Sequence, residues 1–165
     1  MGSSAASDVY KRQAVNEIQV ACPEAELKIR PYEHHAKYYE TDQMGIIHHS
    51  NYIRFFEEAR LDMMKKVGLD YRIMEEMGII IPVTFAECKY LLPLHFDEEI
   101  VIHTRMTKYD GIKMEVTYEI YHADSDVLCT VGKTGHCFLD RDLKPIRMKR
   151  KYPELYAKLK EMVEQ

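Results

Sequence analysis

An α+β domain, with an antiparallel sheet of about five strands around one long central helix, is the fold class this sequence predicts. Three observations carry that prediction. An apolar stripe of Tyr52, Phe55, Phe56, Ala59, Met63 and Val67 recurs at three- and four-residue steps, the period of one helix face. Further on the period drops to two: Ile100, Ile102, Thr104 and Met106 alternate with Val101, His103 and Arg105, and Met114, Val116, Tyr118 and Ile120 alternate with Lys113, Glu115, Thr117 and Glu119. Such alternation marks half-buried antiparallel strands. Between the two runs stands Asp110-Gly111, a strong hairpin signal. A single helix with so broad an apolar face needs a sheet curled over it.

The elements follow in order. Residues 1 to 26 are polar, Ser/Ala-rich at first and without a sustained period, so they read as an N-terminal extension or a segment left over from expression. A single domain is expected from residue 27 to residue 165. A strand from His34 to Glu40 delivers the chain to Asp42, and after a bend at Gly45 either Ser50 or Asn51 caps the long helix, which Gly68 ends. Asp70 to Met77 predicts a short second helix, stopped by Gly78. Ile79 to Tyr90 is β-rich, with Pro82 implying an edge, a bend or a bulge. After the hairpin pair, a turn at Ala123-Asp126 leads into a strand from Val127 to Leu139, and Pro153 to Val163 closes as a short helix or tail.

Bulk properties narrow the function. The 165 residues are 46% hydrophobic and 30% charged, with net charge −4 and pI near 6.1, which argues against a general nucleic-acid binder. No apolar run reaches the roughly 18 residues of a membrane helix and no apolar signal-peptide core is present, so no membrane and a cytoplasmic location are expected. Cys22, Cys88, Cys129 and Cys137 contain no C-x-x-C pair and read as reduced packing residues. One segment departs from the mean: Arg141, Lys144, Arg147, Lys149, Arg150 and Lys151 face only Asp142, a basic face or a dock for phosphates.

The stretch Tyr39 to Tyr52, YETDQMGIIHHSNY, holds the chemistry. It places one carboxylate, Asp42, in a glycine-containing bend just ahead of a helix start, where backbone N–H groups within Ile47 to Asn51 and the positive dipole end can polarise a carbonyl. By itself, Asp42 reads first as a turn-forming residue. The pattern Asp42, Gly45, Ile46-Ile47, His48, His49 and Tyr52, continued by Phe56-Glu57-x-Ala59-Arg60 and by Pro82-Val83, Glu87-Cys88-Lys89-Tyr90 and Leu92-Pro93, resembles the hotdog-fold acyl-CoA thioesterases of the 4-hydroxybenzoyl-CoA thioesterase type, in their bacterial short-chain branch. Tyrosine is common in that family where His48 stands here.

That resemblance implies the hotdog arrangement and hydrolysis of an acyl-CoA with no dissociable cofactor. Asp42 would act as general base or nucleophile and His49 as a second catalytic group. Gly45, Ile47, His48, Ser50 and Tyr52 would line the substrate. A homodimer or homotetramer is implied, and Arg147, Lys149 and Arg150 would meet the CoA phosphates from a neighbouring subunit. Two alternatives stand beside this reading: a thioesterase acting on acyl carrier protein, and a non-catalytic acyl-CoA-binding hotdog protein. A metal at His34-His35 or His48-His49 is disfavoured, because adjacent histidines diverge and zinc-ligand spacing is missing. His136 and Cys137 fall on opposite faces of a strand, which argues against a cysteine nucleophile. Arg60 is expected in an ion pair with a neighbouring element, and Glu87 with Lys89 or a partner chain.

Overall fold

The computed structural model describes residues 29–163, so the reading of residues 1–26 lies outside the described residues. Five antiparallel strands, β1 (Tyr32–His35), β2 (Val83–Tyr90), β3 (Glu99–Tyr109), β4 (Lys113–His122) and β5 (Leu128–Cys137), form one sheet in the order β1-β3-β4-β5-β2. Strands β3, β4 and β5 are the expected meander. β2 crosses over and pairs with β5, Tyr90 opposite Thr130.

Helix α1 (Asn51–Lys66) lies across one face. Its Phe55, Phe56, Ala59, Met63 and Met64 are buried with Ile100, Ile102, Met106, Val116, Tyr118 and Ile120 of the strands. Each large side chain withdrawn from water in this way contributes about 1.5–3 kcal/mol. Phe56 sets how the helix sits on the sheet. Its ring stacks on Tyr118 at 4.4 Å and covers Gly132, where an added Cβ would stand 2.2 Å from the ring. Only a residue without a side chain admits that contact.

Helix α2 (Tyr71–Glu76) follows α1, while α3 (Met148–Lys151) and α4 (Pro153–Val163) end the chain. The Met148 N–H donates to Gly111 O at 3.0 Å, which fixes α3 beside the β3–β4 hairpin. That hairpin lies at one end of the sheet. The start of β3, the end of β2 and the segment carrying Asp42 lie at the other, about 35 Å away along an 11-residue β3 at roughly 3.3 Å per residue.

The boundaries differ from expectation in four places. The first strand stops at His35, because the Glu40 carboxylate folds back to accept the Lys37 N–H at 2.8 Å and winds Tyr38–Glu40 into a 3-10 turn. Pro82 delays β2 to Val83, leaving Ile80 in an isolated bridge with Leu139. β5 ends at Cys137, and α3 was not anticipated. β2 is an open edge: seven of its eight residues are exposed.

Candidate active site

Asp42 and the start of α1 are carried on one closed segment. Thr41 bridges Ile47, the Asp42 N–H donates to Ile46 O at 2.9 Å, and the Gly45 N–H donates to Asp42 O at 3.0 Å. Gly45 makes the corner at φ 75°, a conformation that costs other residues a clash at Cβ. The Asp42 carboxylate accepts the Met44 N–H through Oδ1 at 2.8 Å, an Asx turn. Its Oδ2 has no partner among the described residues, and the residue is half-buried. One oxygen builds the turn and the other is free.

Most helix-start amides are already committed. The Ile47 N–H donates to Leu94 O at 2.8 Å, the His48 N–H to Glu40 O at 2.8 Å and the Asn51 N–H to His48 O at 3.0 Å. The Ser50 N–H donates to His48 Nδ1 at 3.2 Å. Among the described residues nothing accepts the His49 N–H. The five amides expected as oxyanion donors therefore reduce to one. Ser50 stands at the N-cap as predicted, but neither predicted side chain bonds the helix-start amides: Ser50 Oγ lies 2.8 Å from His48 Nδ1, and the Asn51 side chain reaches back to Glu40 O at 2.7 Å.

The His49 ring has aromatic neighbours in His48 and Tyr90. Because His48 Nδ1 accepts a backbone N–H, the neutral ring carries its proton on Nε2. The His48 ring centroid lies 4.1 Å from that of His49. Tyr90, from the end of β2, donates its hydroxyl to His49 O at 3.1 Å and meets Tyr52 edge-on at 4.8 Å. Partial burial and the neighbouring Cys88 thiol push the Tyr90 phenol up to about 12. Ile47 and Tyr52 are buried in the core. Tyr90 was not singled out as a site residue, since it stands 41 residues from its partner and no local spacing links them. Glu40 was not singled out either, and Asn51 was read only as a cap or amide donor; the two lie 11 residues apart.

Other candidates lie elsewhere. Arg147, Lys149 and Arg150 are exposed at the α3 end, so one chain does not bring them to Asp42. Arg60 is 4% exposed and donates to Tyr118 Oη at 3.0 Å, with no carboxylate partner among the described residues. The expected ion pair is replaced because the elements facing it present hydroxyls, with Tyr118 bonded onward to Thr134 Oγ1 at 2.7 Å and Thr134 to His136 Nε2 at 2.8 Å. Burial and the Arg60 charge lower the His136 imidazole to about 4. Glu87 pairs with Lys133 at 3.7 Å. Among the described residues no three His, Cys, Asp or Glu side chains converge as metal ligands. Asp42 lines neither the roughly 420 Å³ groove between α2 and α4 nor the roughly 670 Å³ saddle over β3–β5 and β2.

The sequence pattern of the thioesterase-like superfamily matches residues 37–162. The chain belongs to this superfamily. A DHNA-CoA thioesterase from Staphylococcus aureus, of known structure, matches at TM-score 0.76 and 36% identity, covering 80% of this chain and 89% of that one. A Bacillus subtilis (strain 168) protein provisionally named acyl-CoA thioesterase YneP is 33% identical over 121 residues, 73% of this chain and 88% of its own length. The acyl-CoA thioester hydrolase YbgC of Escherichia coli O6:H1 is 27% identical over 109 residues, 66% of this chain and 81% of its own. The sheet curled over α1 is the superfamily's hotdog fold, and the chain stands among thioester hydrolases.

Proposed function

We propose that the protein hydrolyses an acyl-CoA thioester to the free acid and coenzyme A, with Asp42 as general base or nucleophile. The inventory of amides carries this reading: among the described residues, the one N–H from Ile47 to Asn51 without an acceptor, that of His49, follows directly on the closed segment that holds Asp42. A thioester carbonyl accepting that N–H gains stabilisation as its oxygen becomes negative, aided by the positive end of α1. Attack then follows one of two routes. Asp42 Oδ2 takes a proton from water as it adds, or adds directly and forms a mixed anhydride that water opens. Collapse expels the CoA thiolate in both. The His49 ring stands beside the amide to orient water, Tyr52 backs the acyl group, and no dissociable cofactor takes part.

The active unit in this reading is a homodimer or a dimer of dimers. β2 leaves an unpaired edge with Val83, Phe85 and Tyr90 exposed at 48%, 42% and 42%, and a second copy of the edge is the simplest cover for it. Tyr90 ends that strand beside the His49 turn, so a partner strand would wall the open side of the Asp42 segment. Arg147, Lys149 and Arg150 of a neighbouring subunit would receive the CoA phosphates. Cys88, Cys129 and Cys137 are free thiols, in keeping with a cytoplasmic location.

A thiol-release assay over straight-chain and aromatic acyl-CoAs tests the reading, with Asp42→Asn in parallel. Turnover by the wild type and its loss in the variant are expected. Equal rates from both proteins, or no release from any acyl-CoA, would end it.

A further inference from the structure

Charge is buried where the reacting segment is fastened. Glu40 is 5% exposed, and the His34 side chain facing it is 10% exposed. We infer that Glu40, bonded to His34, is a positioning residue that sets the Asp42 turn and the His49 amide relative to each other. This inference rests on the hydrolase reading above.

The main chain supplies the first part of the argument. Glu40 lies two residues before Asp42, and its carbonyl accepts both the His48 N–H at 2.8 Å and the Asn51 side-chain amide at 2.7 Å. Those two donors flank His49. A single peptide carbonyl therefore joins the chain entering the Asp42 turn to the helix start leaving it. Any shift of residue 40 moves the carboxylate and the amide out of register. Reacting groups must be held within about 0.5 Å of productive geometry, and misplacement of about 1 Å can cost 10²-fold in rate.

The side chain supplies the second part. Glu40 Oε2 accepts the Lys37 N–H at 2.8 Å, and both carboxylate oxygens lie 3.1 Å from His34 Nε2. The other nitrogen of His34 is 3.6 Å from Glu58 Oε2, and Glu58 accepts the Tyr32 hydroxyl at 2.9 Å. The ring packs against Phe55 at 4.5 Å. His34 thus sits between two carboxylates, bonded to Glu40 through Nε2 and facing Glu58 with Nδ1. Without that partner a carboxylate so withdrawn from water would be strongly destabilising. Well-packed apolar residues hold turns at less cost than a buried ion pair does. What the pair adds is directional hold on residue 40 from β1, which lies outside the reacting segment.

The test measures kcat, KM and urea midpoint for wild type, Glu40→Gln, His34→Gln and the double variant on one acyl-CoA. Each single variant is expected to lose about 10- to 100-fold in kcat with KM within about threefold, and the double variant to lose no more than the worse single one, as coupled residues do. Folded Glu40→Gln with wild-type kcat overturns the inference, as do losses that multiply in the double variant. Should Glu40→Gln fail to fold, His34→Gln decides; failure of both to fold also overturns it, since the pair would then be scaffold alone. The hydrolase reading fails separately, through an inactive wild type or a fully active Asp42→Asn, and takes this inference with it.

Discussion

The two ends of the sheet hold their charges differently. At the Asp42 end, Glu40, His34, His48 and Asn51 are each fastened by hydrogen bonds of 2.7 to 3.2 Å, and of the amides from Ile47 to Asn51 only that of His49 has no acceptor among the described residues. At the α3 end, Arg147, Lys149 and Arg150 stand in solvent; Lys149 leans over the Tyr156 ring at 6.0 Å. Bond-making needs a fixed geometry, whereas attraction of phosphates tolerates long, mobile cations. On the proposed reading, the contrast teaches that one short chain separates reaction from capture by placing each at its own end of a strand.

The largest expected effect breaks the fastened end. Asp42→Asn keeps the shape of the Asx turn and removes the base or nucleophile, so kcat should fall by about 10²-fold or more, read by thiol release with the urea midpoint as control. Next comes the middle of the sheet. Because burial and Arg60 lower His136 to about 4 in the folded chain against about 6.5 unfolded, its contribution is present above pH 6.5 and is lost as pH falls towards 4. Between pH 7 and pH 5 that amounts to about 2 kcal/mol. Urea titrations across this window should show wild type losing stability more steeply than His136→Gln; parallel slopes would count against the buried neutral imidazole.

Smaller effects sharpen the contrast. Reversing Lys149 and Arg150 to Glu together should raise KM for acyl-CoA by about 3- to 10-fold, since exposed pairs contribute about 0.2–1 kcal/mol each, with kcat unchanged and the difference shrinking at high salt. An unchanged KM would remove these residues from CoA binding. Tyr90→Phe deletes the bond to His49 O together with the hydroxyl's contact to the Cys88 thiol and should lower kcat by about fivefold, the worth of one neutral hydrogen bond; no change in kcat would assign Tyr90 to packing alone.

What was legible in the sequence follows from distance along the chain. The α1 stripe, the Asp110-Gly111 hairpin and the Asp42–Gly45 bend are set by neighbours within a few residues, and all three stand in the structure. The commitment of the helix-start amides was not legible, because Leu94 O lies 47 residues from the Ile47 N–H it accepts. Pairing of β2 with β5 rather than with a sequence neighbour was hidden for the same reason. The early end of β1 depended on one side chain, Glu40, turning back on Lys37, a choice that alternation cannot report. Arg60 misled because a buried guanidinium ordinarily seeks a carboxylate, and here tyrosine hydroxyls surround it.

The hairpin at residues 41–47 is tied down only at its base, and its outermost residue, Met44, is 76% exposed. Substitutions at Gln43 and Met44 therefore leave the bonds beneath them intact. In a library randomised at these two positions most members should fold with the Asp42 carboxylate in place, which makes this tip a natural point for grafting new side chains beside it.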